Sequence, residues 1–175
     1  FKVAATTDNL LPGYPDPVAG WLNIGVLHTA LEGNAEHARY APCSVAELQA
    51  KGYQYWALGH VHEHWVQRGD VTIAYPGNLQ GRHIRELGVR GALLVSAEDG
   101  EITELERLEV DVLRWHMLDI DVSVVADMRS AVRMVGLAME QLLESTPADL
   151  PLAVRVVFKG CSAAHAELIV DEGQL

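Results

Sequence analysis

The chain has 175 residues, a formal net charge of −11 and 49% hydrophobic residues, enough for one domain or two small ones with a real core. No apolar run of about 18 residues occurs, so no helical membrane span is expected. No basic segment leads into an apolar one at the start, so the expected location is the cytoplasm.

The charge is uneven, at −1 over residues 1–97 and −10 over residues 98–175. An acidic surface repels nucleic acid. That objection falls on the second part and spares the first, which carries most of the histidines. Cys43 and Cys161 are far apart in sequence and are expected as free thiols.

Residues 1–20 are rich in proline and read as irregular chain. "LNIGVLH" (22–28) is a short strand ending in His28. "SVAELQAKG" (44–52) is a short helix, with Ser44 and Glu47 as a capping box and Gly52 as a stop. "YQYWALGH" (53–60) is an aromatic-rich strand. Strand, helix, strand in this order predicts a layered α/β arrangement. The next segment, from Trp65 to Asn78, reads as a hairpin turning at Gly69-Asp70, and residues 90–110 as another turning at Asp99-Gly100. "RWHMLDIDVS" is a further strand. Residues 126–145 form the clearest helix, with Met128, Val132, Val135, Met139 and Leu142 as its apolar stripe. "LAVRVVFKG" and "SAAHAELI" complete a β-α-β-α unit from residue 113.

The stretch "GHVHEH" places His60, His62 and His64 at alternate positions. If the strand runs on through Val61, His60 and His62 share a face and offer neighbouring imidazoles to a metal. A solvated row at a strand end is the competing reading. His28 also closes a strand, at the kind of edge where α/β sheets carry their sites.

"GHVH" at 59–62 resembles the last metal-binding motif of the calcineurin-like metallophosphoesterases, and "VLHTALEG" at 26–33 resembles their preceding histidine motif. "YPGNLQGRHIRE" (75–86) and "GALLV" (91–95) resemble the SbcD/YhaO-type DNA repair exonuclease group. The resemblance implies the C-terminal half of a layered metallophosphoesterase sheet over residues 1–112 and a small α/β capping domain over residues 113–175. It implies that His28 and His60 bind one metal and His62 the other, in a two-metal, manganese-dependent phosphodiesterase. His64 lies outside the motif and is expected to be solvated or to support a ligand.

The family's Asp-x-His, Gly-Asp and Gly-Asn-His motifs have no counterpart in the chain. Gly69-Asp70 follows the GHVH motif, and Gly77-Asn78 runs into Leu79. The expectation is therefore the C-terminal part of a longer subunit, cut or processed at Phe1, with no catalytic acid or base of its own. Such a piece would hold at most one weak metal, because like-charged ions need a bridging carboxylate. An exposed strand edge would also favour pairing between copies as a homodimer.

Asn78, Arg82, His83 and Arg85 are the candidate DNA or phosphate contacts. Pairing with Glu86 is the equal alternative for the arginines. Tyr55 and Trp56 are expected in the core, His116 and His165 as structural residues, and the Glu-rich run 98–111 as a solvated hairpin face.

The leading expectation is a metal-dependent DNA repair exonuclease or endonuclease subunit, with DNA and an SMC-like coiled-coil ATPase as partners and no membrane. The alternatives are a metallophosphoesterase of small phosphoesters, or a noncatalytic module that docks the ATPase or DNA.

Overall fold

The structure is a computed structural model that describes residues 6–31 and 40–170. It is mixed α/β, as the pattern of elements predicts. The chain divides into two compact units, Phe1–Leu79 with Arg90–Val110, and Gln80–Val89 with Asp111–Leu175. Residues 80–89, which lie inside the expected 1–112 segment, thus pack with the second unit. There the Trp115 indole N–H donates to the Gly81 carbonyl at 2.9 Å, and the Gln80 side chain bonds Val112 N–H and Leu113 C=O.

In the first unit, β1 (Ile24–His28), α1 (Val45–Ala50) and β2 (Tyr55–Gly59) form the expected strand–helix–strand sequence. The α1 capping box is present: Ser44 Oγ accepts from the Glu47 N–H and the Glu47 carboxylate accepts from the Ser44 N–H. The hairpin of β3 (Trp65–Gln67) and β4 (Thr72–Tyr75) completes a sheet ordered β1-β2-β4-β3, with β3 antiparallel and the rest parallel. Parallel pairing carries the ends of β1, β2 and β4 to the same edge. In register, His28 stands opposite Gly59.

The core of this sheet is built on Trp56, which is fully buried with Leu48 and Ile73. Its indole N–H donates to the Leu48 carbonyl at 3.1 Å. Tyr53 stacks on it at 4.9 Å between ring centroids, and Tyr14 meets it edge-on at 5.2 Å. Gly25 is the floor of this arrangement, because a Cβ there would lie 2.2 Å from the indole ring. Trp56 and Tyr55 are core residues, as expected.

The hairpin of β5 (Gly91–Glu98) and β6 (Glu101–Glu109) turns at Asp99 and Gly100, both with positive φ. Its glutamates at 98, 101, 104, 106 and 109 are exposed, which is the solvated acidic face predicted for this run. Cys43 is buried, Cys161 is exposed, and both are free thiols.

The second unit pairs β7 (Arg114–Asp121) and β8 (Leu152–Lys159) in parallel, joined by α2 (Met128–Glu144) and followed by α3 (His165–Val170). Asp127 caps α2 by accepting from the Ser130 N–H at 2.8 Å. Of the expected α2 stripe, Met128, Val135, Met139 and Leu142 are half-buried, and the helix also turns its alanines inward. Ala131 is fully buried, Met134, Val135 and Ala138 pack beside it, and Val132 is exposed. A helix approaches a sheet most closely through its smallest residue, and the alanines let it do so here. Among the described residues no helix is long and apolar enough to cross a membrane.

The Asp111 and Arg114 side chains form a buried two-point ion pair at 2.8 and 2.9 Å at the start of β7. His116 lies nearby with Nε2 buried and without a hydrogen-bond partner. Burial, then the Arg114 charge, lower its pKa against an opposing pull from Asp111.

Two outcomes are expected. Gly25→Ala should destabilise the first unit by about 1–3 kcal/mol through overpacking, read as a lower denaturation midpoint with no new transition. For His116 the unfolded chain binds a proton more readily than the fold. Its contribution to stability is therefore complete above the ordinary histidine pKa of 6.5 and is lost as pH falls below that value. Denaturation at stepped pH, followed through β7 amides, should show this slope, and His116→Gln should flatten it.

Candidate metal centre

β1 alternates strictly. Gly25 and Leu27 turn inward, and Ile24, Val26 and His28 turn outward. The matched register then brings His28 to the carboxyl end of β2, where Gly59 ends the strand. A Cβ at Gly59 would approach His28 Nδ1 to 3.1 Å, so glycine leaves room for that imidazole. The Thr29 N–H continues the ladder to the Gly59 carbonyl at 3.1 Å.

His60 comes next with φ at +102°. Few non-glycine residues adopt this backbone, and holding one there costs about 1–3 kcal/mol. The conformation turns the His60 ring onto His28, with Nδ1 of His60 3.2 Å from Nε2 of His28. The Tyr40 ring stacks on His60 at 5.5 Å and meets His28 edge-on at 4.9 Å. Without a metal, one imidazole donates a proton to the other at this spacing. Two nitrogens held by one ion at about 2.0–2.1 Å are themselves about 3.0–3.4 Å apart. The pair therefore fits two positions of a single divalent coordination sphere, once the shared proton leaves.

The strand does not run on through Val61. β2 stops at Gly59, the positive φ of His60 reverses the chain, and Val61 turns inward and is buried. His60 and His62 are therefore not neighbours on a strand face. His62 is exposed on the turn that follows. Among the described residues no three His, Cys, Asp or Glu side chains gather closely enough to hold one ion. The structure brings His28 and His60 together, and His62 stands two residues beyond them.

The turn is fixed from beneath. The His62 carbonyl accepts from Arg90 Nη1 at 2.7 Å and from the Asn78 N–H at 3.2 Å. Arg90 Nη1 also reaches Asn78 Oδ1 at 3.3 Å, and Nη2 reaches Glu63 Oε1 at 2.9 Å. Gly77, at φ +84°, lies so close that a Cβ would come within 2.9 Å of the His62 oxygen. His64 is half-buried. Burial, then the Arg107 charge, lower its pKa, against a hydrogen bond to the Pro76 carbonyl.

The four candidate phosphate contacts separate. Asn78 belongs to the first unit, while Arg82, His83 and Arg85 belong to the second. The Arg82 N–H and Nη2 bind the buried Glu86 carboxylate at 2.7 and 3.3 Å. His83 Nδ1 accepts from the Arg85 N–H at 3.2 Å, and both side chains are exposed.

Three residues of the site were not among the candidates read from the sequence: Tyr40, Arg90 and Tyr75, although Tyr75 opens the 75–86 motif. The Tyr75 hydroxyl donates to the Thr29 carbonyl at 2.8 Å and accepts from the Leu31 N–H at 3.3 Å. Burial pushes its pKa up to about 12. It thus pins the chain immediately after His28. Tyr75→Phe should cost about 1–3 kcal/mol by stranding a buried carbonyl, and amide exchange at Leu31 should quicken.

Residues 115–175 match the family model described as the middle domain of metallophosphoesterase YhaO. The chain is also 33% identical over 162 residues to a protein of Bacillus subtilis (strain 168) named uncharacterized metallophosphoesterase YhaO. That alignment takes in 91% of this chain and 38% of the relative, so the chain spans well under half of the relative's length. Metallophosphoesterases use divalent metal, which accords with the imidazole pair. Together with that pair, the two matches support a metallophosphoesterase relationship for this chain.

Proposed function

We propose that this chain supplies the histidine side of a divalent-metal site in a phosphodiesterase that hydrolyses DNA during repair, with manganese as the working ion. The observation that carries the reading is the His28–His60 pair, 3.2 Å apart at the carboxyl edge of a parallel sheet. The similarity of "YPGNLQGRHIRE" to the DNA repair exonuclease group favours DNA over small phosphoesters. An SMC-like ATPase is the partner this reading expects.

His28 and His60 would hold one ion, and His62 would offer its imidazole to a second. When bound, divalent ions supply Lewis acidity and neutralise charge on the attacking and leaving oxygens of an in-line displacement at phosphorus. The chain's own residues do the positioning. Tyr40 covers one side of the His60 ring, Gly59 gives His28 its place, and Tyr75 fixes the backbone beyond it. Neither Asp-x-His nor Gly-Asn-His occurs in the 175 residues, so the bridging aspartate and acid/base histidine that the family's earlier motifs supply between them are not expected from this chain.

Two experiments test the reading. Titration with Mn2+ should show weak binding to the chain that His28→Ala and His60→Ala each abolish; binding indifferent to both substitutions would contradict it. The chain alone should not cut linear or single-stranded DNA with manganese, because the parts of such sites act as a unit. Chelator-sensitive turnover by the purified chain would show that the acid/base machinery lies within it. In a longer protein that does carry the other motifs, His62→Ala should abolish cleavage, at a stability cost of about 1 kcal/mol.

A further inference from the structure

The geometry points to the turn from Arg82 to Glu86 as a clasp for the phosphodiester backbone of a nucleic acid. The turn belongs to the second unit. The inference shares the nucleic-acid part of the reading above and is independent of the imidazole pair, so each can fail without the other. The turn is held stiffly. The Glu86 N–H donates to the His83 carbonyl at 2.9 Å and closes it. The Glu86 carboxylate is buried and accepts from the Arg82 N–H at 2.7 Å and from Arg82 Nη2 at 3.3 Å. Its charge is therefore met within the turn. Gly81 lets the ends close up, since a Cβ there would lie 2.7 Å from the Glu86 carbonyl oxygen. The Gly81 carbonyl in turn accepts from the Trp115 indole at 2.9 Å. A segment tied in this way loses little freedom when a ligand arrives, which lowers the cost of binding.

What the turn presents is donors. His83 Nδ1 accepts from the Arg85 N–H at 3.2 Å. The proton of the neutral imidazole is therefore on Nε2, which becomes a donor on an exposed ring. Two residues on, the exposed Arg85 guanidinium adds a planar fork of donors that matches phosphate oxygens. The positive charge is local. Residues 80–89 carry a net +1, whereas residues 111–175 of the same unit carry −5. A phosphate is drawn to this turn and repelled by the rest of that sequence. The turn is also open to solvent. A free phosphate would gain one clasp there in full competition with water, whereas a polymer brings neighbouring phosphates to the same surface. Contacts of this kind position a nucleic acid without reading its sequence.

The test uses the whole 175-residue chain, isotope-labelled and followed by NMR as a short mixed-sequence DNA duplex is added at low salt. The amides of His83, Ile84, Arg85 and Glu86 should shift, and binding should weaken as salt rises. Arg85→Gln should weaken binding about tenfold and lower the salt slope by about 1. Arg85→Lys, which keeps the charge without the fork, should keep the slope and lose part of the affinity. Arg155→Gln removes the same charge from an exposed position on β8 and should leave binding unchanged. Both arginines are exposed, so thermal melts of the variants should match the wild type. A turn that does not shift, or equal losses from Arg85→Gln and Arg155→Gln, would overturn the inference. So would the same shifts with inorganic phosphate or with polyglutamate at matched charge, which would make the turn a general anion site. Mn2+ binding that ignores His28 and His60, with the DNA shifts at the turn intact, would overturn the metal centre alone.

Discussion

The contact between the Trp56 indole and the bare backbone of Gly25 is the constraint on which the site depends. A residue with a side chain at position 25 would push β1 away from β2 or displace the indole from its place beside Leu48 and Ile73. The close approach locks the two strands in the register that puts His28 opposite Gly59. Because side chains alternate along a strand, a slip of one residue would turn His28 into the core and Leu27 toward solvent. The spacing of the imidazole pair is thus decided at the other end of the strands, by the shape of a glycine and a tryptophan.

The parts of the fold that follow local chemistry were legible in the sequence. The α1 capping box, the two hairpin turns and the β-α-β order all express preferences of a few neighbouring residues. What alternation could not show was the backbone angle at His60. A row of histidines at every second position has the period of a strand, yet the φ of one residue ends the strand and sends Val61 inward. The α2 stripe held at four of its five residues but missed Ala131 and Ala138 and included the exposed Val132. Periodicity ranks large apolar residues, whereas the sheet selected the face where alanine permits close approach. The roles of Arg90 and Tyr75 were out of reach for a third reason, since their partners lie far along the chain and include backbone groups, which any sequence supplies.

The segment "YPGNLQGRHIRE" reads as one motif but is divided in the structure. Its first part, through Leu79, belongs with the first unit, where Gly77 and Asn78 brace the histidine turn. From Gln80 it belongs with the second, where the Trp115 indole bonds Gly81 and Glu86 anchors Arg82. The Glu86 carboxylate is buried and occupied from both the backbone and the side chain of Arg82. Much of this stretch therefore maintains its own conformation, while Arg82, His83 and Arg85 are exposed.

The backbone at His60 has a consequence for how such a chain changes over time. Glycine would adopt φ +102° without strain, so stability alone favours losing the imidazole at this position. The ring contacts described for it, with His28 and Tyr40, belong to the site itself. A histidine at this angle costs the fold backbone energy that glycine would not. On backbone grounds position 60 would accept glycine more readily than Gly25 would accept any side chain.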